Sequence, residues 1–591
     1  MRIGTWIALA VVALLFAALL VLSKNTLWGW VLALVLFVCF ALVMRRAGGA
    51  WLRFACWMGL LVLLGATLKL TEAPYRAIPA VPGKNPAVTE VVRVAQGELT
   101  GVYNADKSVE VYAGIPYAKP PVGELRWVEP QEPDSWEGVR ACDTFAPMSM
   151  QKRNPMIVDS VTTLVAYHNF TYDPLHTYRE PVSEDSLYLN IWKGADTPDG
   201  APVIFFIHGG SLMTGQSYYG EYNGESLAKQ GVIFVNFAYR LNIFGYYANE
   251  ELAAESPTGT TGNYGLLDQI AALRWVHDNI AAFGGDPDNI TIAGESAGSS
   301  SVGALCVSPL AKGLFRRAIA ESSGITPVQP YHTFRDFDKA LELGRGVLAE
   351  QKAADIAALR AVPAEKLVNT SYSFNSMTVD GYAIPEQPCL IYEKGENNEE
   401  ALLNGFNGHE ADLFNFFLRV NTGNYEDTLR DIFGEHTAEV MALYPAATDA
   451  EAKENVNTIL SAVWFAYSHH DWSRLVSAQG RPVYEYYFTK TNGGLSNNHA
   501  GELPYAYGNL STQPYNYEPA DWTLSETMQR YWVNFARTGD PNGEGLPEWK
   551  LYGEAPDKPL NFDTEIRPVD DPFLSLYEII DLCQQEFREA K

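Results

Sequence analysis

The sequence predicts an α/β fold, a large and mostly parallel central sheet, preceded by an N-terminal group of transmembrane helices. Three observations predict it. Near-continuous apolar runs, Pro202–Ile207 (PVIFFI) and Val232–Phe237 (VIFVNF), have the composition of strands buried on both faces. Stretches of helical periodicity, Gly265–Asn279 among them, lie between such runs. Residues 1–69 hold three long apolar segments with six Lys/Arg and no Asp or Glu.

The apolar segments come first. Ile3–Leu22 is an uncharged run of 20 residues, about 30 Å as a helix, which matches the hydrocarbon thickness of a bilayer. Leu27–Met44 is a second span with Trp28 and Trp30 at its boundary. Trp51–Leu68 is a third and weaker one, with Arg53 near its start able to snorkel to the headgroups. The rival for the first run is a cleaved signal peptide, but no small-x-small site follows it and two more apolar runs do. Arg45, Arg46 and Arg53 cluster between spans two and three, against Lys24 alone between spans one and two. The positive-inside bias therefore puts the N-terminus inside and everything after Lys69 outside. Were the third segment to lie along the interface, the remainder would face the cytoplasm instead.

Residues 71–87 form a linker with Pro74, Pro79, Pro82 and Pro86 and no apolar periodicity, the pattern of an extended stalk. From 88 to 591 no composition break divides the chain, so one large domain is expected. Short strands at Thr89–Val94 and Val109–Tyr112 open it, and the apolar runs already named follow. Later strands are expected at Ile290–Ala293, Ala401–Asn404 and Val483–Phe488. The whole chain of 591 residues is 47% hydrophobic and 12% aromatic, enough for a large core.

Charge narrows the partners. Of 43 Lys/Arg, six fall in residues 1–69, whereas all 70 Asp/Glu lie beyond them. The remainder is strongly acidic and has no basic surface to replace phosphate counterions, which argues against a nucleic-acid partner. Cys39 and Cys56 lie in apolar runs. Cys142, Cys306, Cys389 and Cys583 show no CxxC or metal-ligand spacing, so neither zinc nor a disulfide is expected.

Residues 294–298 read Gly-Glu-Ser-Ala-Gly, after an apolar run and before a small-residue helix start. That is a nucleophile elbow. Its sharp strand-to-helix turn leaves no room for Cβ atoms two residues either side of Ser296, and it lifts the hydroxyl above the sheet. A serine hydroxyl needs a base to take its proton and donors to hold the oxyanion. The turn His208-Gly209-Gly210-Ser211 follows a buried strand, and with the N–H of Ala297 it supplies an oxyanion hole from Gly209, Gly210 and Ser211.

In α/β-hydrolases the chain order is nucleophile, acid, histidine. His332 lies too early, and His436, His469 and His470 sit in helix-like stretches. His499 closes the loop Asn492-Gly-Gly-Leu-Ser-Asn-Asn-His after the strand ending near Phe488, where the base should hang. For the acid, both Glu410 and Asp412 follow the strand at 401–404, and spacing does not separate them. Glu295, beside the nucleophile, fits a role in tuning electrostatics or holding water. The aromatic residues Tyr218, Tyr219 and Trp464 are available to line a pocket.

With these motifs assembled, the chain resembles the type-B carboxylesterases, the cholinesterase and para-nitrobenzyl-esterase family of α/β-hydrolases. The similar segments are Tyr112–Arg126, Ser183–Trp192, the His-Gly-Gly turn, Tyr239–Gly245, Asn263–Gly298, Gly405–Phe414, His499–Gly508 and Phe535–Asn542. They span roughly 90–560 in the right order. The resemblance implies Glu410 as the triad acid, oxyanion donors from Gly210, Ser211 and Ala297, and structural ion pairs Arg126–Glu184 and Arg240–Asp268. It also marks departures. Ser186 stands where the family has a cysteine, and the position of its disulfide partner is Ser149, so the 149–186 loop is expected to be untethered. Ser211 replaces a common Gly or Ala, and Ala411 the glycine after the acid.

The expected activity is hydrolysis of a small-molecule carboxylic ester through an acyl-enzyme, by Ser296, His499 and Glu410, without metal or organic cofactor. Two alternatives stand beside it: a lipase-like enzyme on membrane lipid esters with 149–186 as a lid, and a non-catalytic cholinesterase-like binding ectodomain.

Overall fold

The structure, a computed structural model, describes residues 3–166, 171–328, 334–412, 414–415, 418–491, 497–513 and 515–589. It divides into two compact units, Met1–Ala77 with Arg153–Pro181, and Ile78–Lys152 with Val182–Lys591.

In the first unit the three apolar runs are helices α1 (Ile3–Leu22), α2 (Leu27–Arg46) and α3 (Ala50–Leu70). Each is long and apolar enough to cross a membrane, with mean hydropathy 2.8, 2.6 and 1.7. Their outward faces, including Ile3, Leu14, Leu34 and Val62, are exposed, as expected of helices whose solvent is lipid. Polar bonds tie the α1–α2 turn to the end of α3. Buried Asn25 donates from Nδ2 to Leu68 O (2.7 Å) and Thr71 Oγ1 (2.9 Å). At the other end lie Arg45, stacked over Trp6, and Arg53, bonded to Ala47 O.

A later segment joins this unit. Helix α4 (Met156–Ala166) and residues 171–181 pack at the Lys24 end. Trp30 Nε1 donates to the Tyr172 hydroxyl (2.7 Å), which donates to Asn25 O (2.5 Å), and Leu27 N donates to Pro174 O (2.9 Å). The linker is no free stalk. Arg76 N donates to Arg179 O, Arg179 N to Pro74 O, and in the second unit Ile78–Pro79 pairs antiparallel with Thr144–Phe145. Proline is tolerated in so short a pairing because its missing N–H can face outward.

The second unit is built on an 11-stranded sheet. In chain order its strands are β1 (Val102–Tyr103), β2 (Val109–Pro116), β3 (Tyr188–Gly194), β4 (Ala201–Ile207), β5 (Ile233–Phe237), β6 (Gly285–Glu295), β7 (Arg317–Glu321), β8 (Ala401–Asn407), β9 (Val483–Phe488), β10 (Leu560–Phe562) and β11 (Arg567–Pro568). The spatial order is β11-β10-β9-β8-β7-β6-β4-β5-β3-β2-β1. Pairing is parallel from β10 through to β5 and antiparallel at both edges. Every residue of β4, β5, β7 and β8 is buried, the consequence of helices covering both faces. Helix α5 (Tyr264–Asn279) covers part of one face and α6 (Ala297–Val307) follows β6 directly.

Two largely buried ion pairs brace the loops above the sheet. Arg126 grips Glu184 through Nε (2.7 Å) and Nη2 (2.6 Å), and Arg240 grips Asp268 the same way (2.8 and 2.7 Å). Removing one partner of such a pair strands a buried charge and costs about 3–5 kcal/mol. The expectation of an untethered 149–186 loop is corrected. Ser149 Oγ and Ser186 Oγ are buried and 3.0 Å apart, and Met148–Ser149 runs parallel to Val182–Ser183. Two hydroxyls close the base of the loop by a hydrogen bond, because a serine pair fits where two sulfurs would and either can donate to the other.

Candidate active site

The Ser296 side of the site is made by local backbone. Between β6 and α6, Ser296 adopts φ 57° and ψ −126°, a conformation a non-glycine residue holds only when its surroundings enforce it. They do so here. Ser296 N donates to Glu321 O on β7 (2.9 Å). A Cβ at Gly294 would lie 2.6 Å from the Gly298 carbonyl carbon, and one at Gly298 would strike the Ile207 carbonyl oxygen. Both glycines are thus required by close approach. Ala297 begins α6, so its N–H has no acceptor within the helix.

A second stretch of backbone reaches Ser296 from the end of β4. Gly210 has φ 106°, and Ser211 and Leu212 follow at 56° and 58°. Met213 N and Thr214 N both donate to Gly210 O (3.0 Å), which turns that carbonyl into the loop. The N–H groups of Gly210 and Ser211 make no hydrogen bond among the described residues. A Cβ at Gly209 would sit 3.0 Å from Ser296 Cβ, so this loop passes directly against Ser296. His208 is structural. Its ring stacks on Tyr239 at 4.6 Å, its Nδ1 meets Gly209 O at 2.8 Å, and burial pushes its pKa down to about 4.

Glu410 and His499 come from loops after β8 and β9. Glu410 is buried, and its Oε1 accepts from Asn407 N (2.7 Å) while Oε2 lies 2.7 Å from His499 Nδ1. Asp412 is paired elsewhere, 3.3 Å from His409 Nδ1. The two loops are stitched together: His409 N donates to Asn497 O (3.0 Å) and Asn407 Nδ2 to Asn498 O (2.8 Å). The His499 ring packs against Phe465 at 4.7 Å and Phe414 at 5.1 Å. Its Nε2 lies 3.2 Å from Glu295 Oε1 but makes no hydrogen bond, and none joins it to Ser296.

Electrostatics around the imidazole are unusual. Glu295, Glu321, Glu410 and Glu502 are all buried on this side. Burial alone would push His499 down, but Glu295 and then Glu410 overcome it and hold the ring up at about 9. Burial raises Glu295 and Glu502 above the usual carboxylate range, and their neighbours' negative charge adds to that. Glu321 goes up for the same first reason while accepting from Tyr507 (2.7 Å) and Trp532 (3.0 Å).

Ser296 opens onto a cavity of about 660 Å³ that Ser211 and Ala297 also line. Part of its wall is aromatic, from Phe414, Trp464 and Phe465. The last two sit in a π-helical turn, Ala462–Ala466, between the helices Asp449–Ser461 and Tyr467–Ala478. Such a turn re-aims side chains within a continuous helix.

Of the residues singled out in the sequence, Glu410 and His499 are brought together, Ser296, Ser211 and Ala297 line the cavity, and Gly209 lies against Ser296 with Gly210 next to it in the chain. Trp464 lines it; Tyr218 stacks instead on Phe145 (5.0 Å) and Tyr219 packs on Tyr222 (5.9 Å). His332 and loop residues 492–496 lie outside the described residues. Sequence reasoning missed Phe465, Arg335 and Glu502. Phe465 had a neighbour, Trp464, that hinted at it, and no spacing marks the other two. No group of His, Cys, Asp and Glu suited to a metal occurs among the described residues.

Residues 88–575 match the model of the carboxylesterase family. The chain is 32% identical over 489 residues to a fumonisin B1 esterase of Sphingopyxis macrogoltabida, covering 78% of this chain and 85% of that protein. It is 32% identical over 517 residues to carboxylesterase 1C of Rattus norvegicus, covering 80% and 89%. Among solved structures, a carboxylesterase of Geobacillus stearothermophilus superposes with TM-score 0.71 at 32% identity, covering 83% of this chain and 100% of that one. A PNB esterase superposes with TM-score 0.69 at 29% identity, covering 83% and 99%.

Proposed function

The chain belongs to the carboxylesterase family and is a carboxylic ester hydrolase, and from that premise we propose that it works through an acyl-enzyme on Ser296, held at a membrane by its N-terminal helices. The observation that carries the mechanism is the 2.7 Å contact between Glu410 and His499 Nδ1. It fixes the tautomer that leaves Nε2 free to act as base.

Ser296 Oγ attacks the ester carbonyl as Nε2 takes its proton, and Glu410 stabilises the imidazolium. The N–H groups of Gly210, Ser211 and Ala297 receive the oxyanion. The imidazolium then protonates the departing alcohol, and water, activated by the same ring, releases the acid. In the resting enzyme Nε2 lies by Glu295, and substrate binding realigns it to Ser296; catalytic hydrogen bonds often tighten only when substrate is bound.

Anchoring is supported by the three spans, and their direction by the arginines at one end against Lys24 at the other. The catalytic unit then faces away from the cytoplasm. A membrane-impermeant fluorophosphonate should label Ser296 in intact cells, and Ser296→Ala should lose both label and about 10⁴-fold or more in kcat on p-nitrophenyl esters. Full turnover by that variant would defeat the mechanism; labelling only after cell lysis would defeat the orientation.

A further inference from the structure

The cavity at Ser296 contains a cation with no counter-ion. Arg335 lines it at the start of a short strand, Arg335–Asp336, that pairs in parallel with Thr378–Val379. Its backbone is held by Arg335 N donating to Met377 O (2.8 Å). The guanidinium is held far less well. Nη1 is buried and makes no hydrogen bond, and Nη2 has one long contact, to Ser373 O at 3.5 Å. No carboxylate lies within ion-pair distance of it among the described residues. By contrast, Arg126 and Arg240 each meet a carboxylate through two hydrogen bonds.

A partly buried guanidinium left unpaired costs free energy, and a fork of donors in that state suits a planar anion. Nearby lining residues add to the polarity: Asn375, Ser376 and Lys339, the last on the helix Phe337–Gln351. Lys339 also pairs with Glu342 (2.7 Å), and Asp336, which lines the cavity too, accepts from Gln387 Nε2 (3.0 Å). Lys339 is thus offset by Glu342, so what sets this part of the lining apart is the Arg335 guanidinium, which has no paired carboxylate among the described residues, on a chain whose net charge is −27.

We propose that the cavity selects esters carrying an anionic substituent, a carboxylate above all, which pairs with Arg335 while the apolar part of the substrate lies on Phe414, Trp464 and Phe465. The proposal rests on Ser296 being the nucleophile. It makes Arg335 a specificity-determining residue that takes no part in the acyl transfer itself.

The test compares matched esters on the full-length enzyme. p-Nitrophenyl hemiglutarate against p-nitrophenyl pentanoate places the charge in the acyl part, and p-acetoxybenzoate against p-tolyl acetate places it in the alcohol part. The wild type should show a higher kcat/KM for the anionic member of at least one pair. Arg335→Met should reduce that preference roughly 10- to 100-fold, the worth of a charge-assisted hydrogen bond, and Arg335→Lys should retain part of it. Because the readout is a ratio within one variant, a smaller folded fraction does not move it. A wild type that prefers both neutral esters, or an Arg335→Met variant with the wild-type ratio, overturns the proposal. Loss of all four activities together with failure of a fluorophosphonate to label the wild type would instead overturn the hydrolase mechanism, and this inference with it.

Discussion

Ser296 and the N–H groups proposed to receive the oxyanion stand on backbone with no room for a Cβ at its glycines, whereas His499 and Glu410 stand on loops joined by cross-loop hydrogen bonds such as His409 N to Asn497 O and Asn407 Nδ2 to Asn498 O. On the first side, β4, β6 and α6 set every donor direction through the chain itself. On the second, the direction of one imidazole is shared between two carboxylates, Glu410 on Nδ1 and Glu295 by Nε2. The site is therefore rigid on one side and tunable on the other. Backbone donors cannot be re-aimed without moving the sheet, while a ring between two acids can turn or change its charge.

The tunable side should give the largest response. Glu410→Gln keeps the shape but favours the wrong tautomer, and should lower kcat by about 10⁴-fold. A loss under about tenfold would mean that Glu295 alone can orient the ring, and single-turnover kinetics would measure it.

On the rigid side, Gly209→Ala would put a Cβ 2.8 Å from Glu295 O and 3.0 Å from Ser296 Cβ. The shift this forces on the oxyanion loop should cost on the order of 10²–10³ in kcat with KM little changed. Wild-type kcat in that variant would show the loop to be looser than its packing implies.

A smaller effect separates the two acids on the ring. Catalysis needs the neutral imidazole, so activity rises as pH passes upward through the His499 pKa, which Glu295 and Glu410 hold up at about 9. Glu295→Gln removes one of those charges and should move the acid limb of kcat/KM to lower pH by about one unit or more. An unmoved limb would separate Glu295 from the titration of the base.

Much of the fold could be read from the chain. Buried strands announced themselves as PVIFFI and VIFVNF, and the elbow as Gly-Glu-Ser-Ala-Gly, because local sterics dictate both. The acid could not be read from spacing: Glu410 and Asp412 are two residues apart, and the fold shows one buried on His499 and the other paired with His409. The 149–186 loop misled for a related reason. Missing cysteines read as a missing tether, yet Ser149 and Ser186 still meet, and most of the segment between them belongs to the same compact unit as the three N-terminal helices.

Local pattern was enough for the three apolar helices, the parallel sheet, the strand-to-helix turn at Ser296 and the turn at Gly209–Ser211, since each follows from apolar periodicity or from glycines within a few residues. Glu410 was named beforehand by the family resemblance and not by spacing. Two features needed the folded chain: that Glu295 stands by the second nitrogen of His499, and that Arg335 reaches the cavity without a paired carboxylate among the described residues. These depend on side chains from distant strands and loops converging in space, and no stretch of neighbouring residues encodes such convergence.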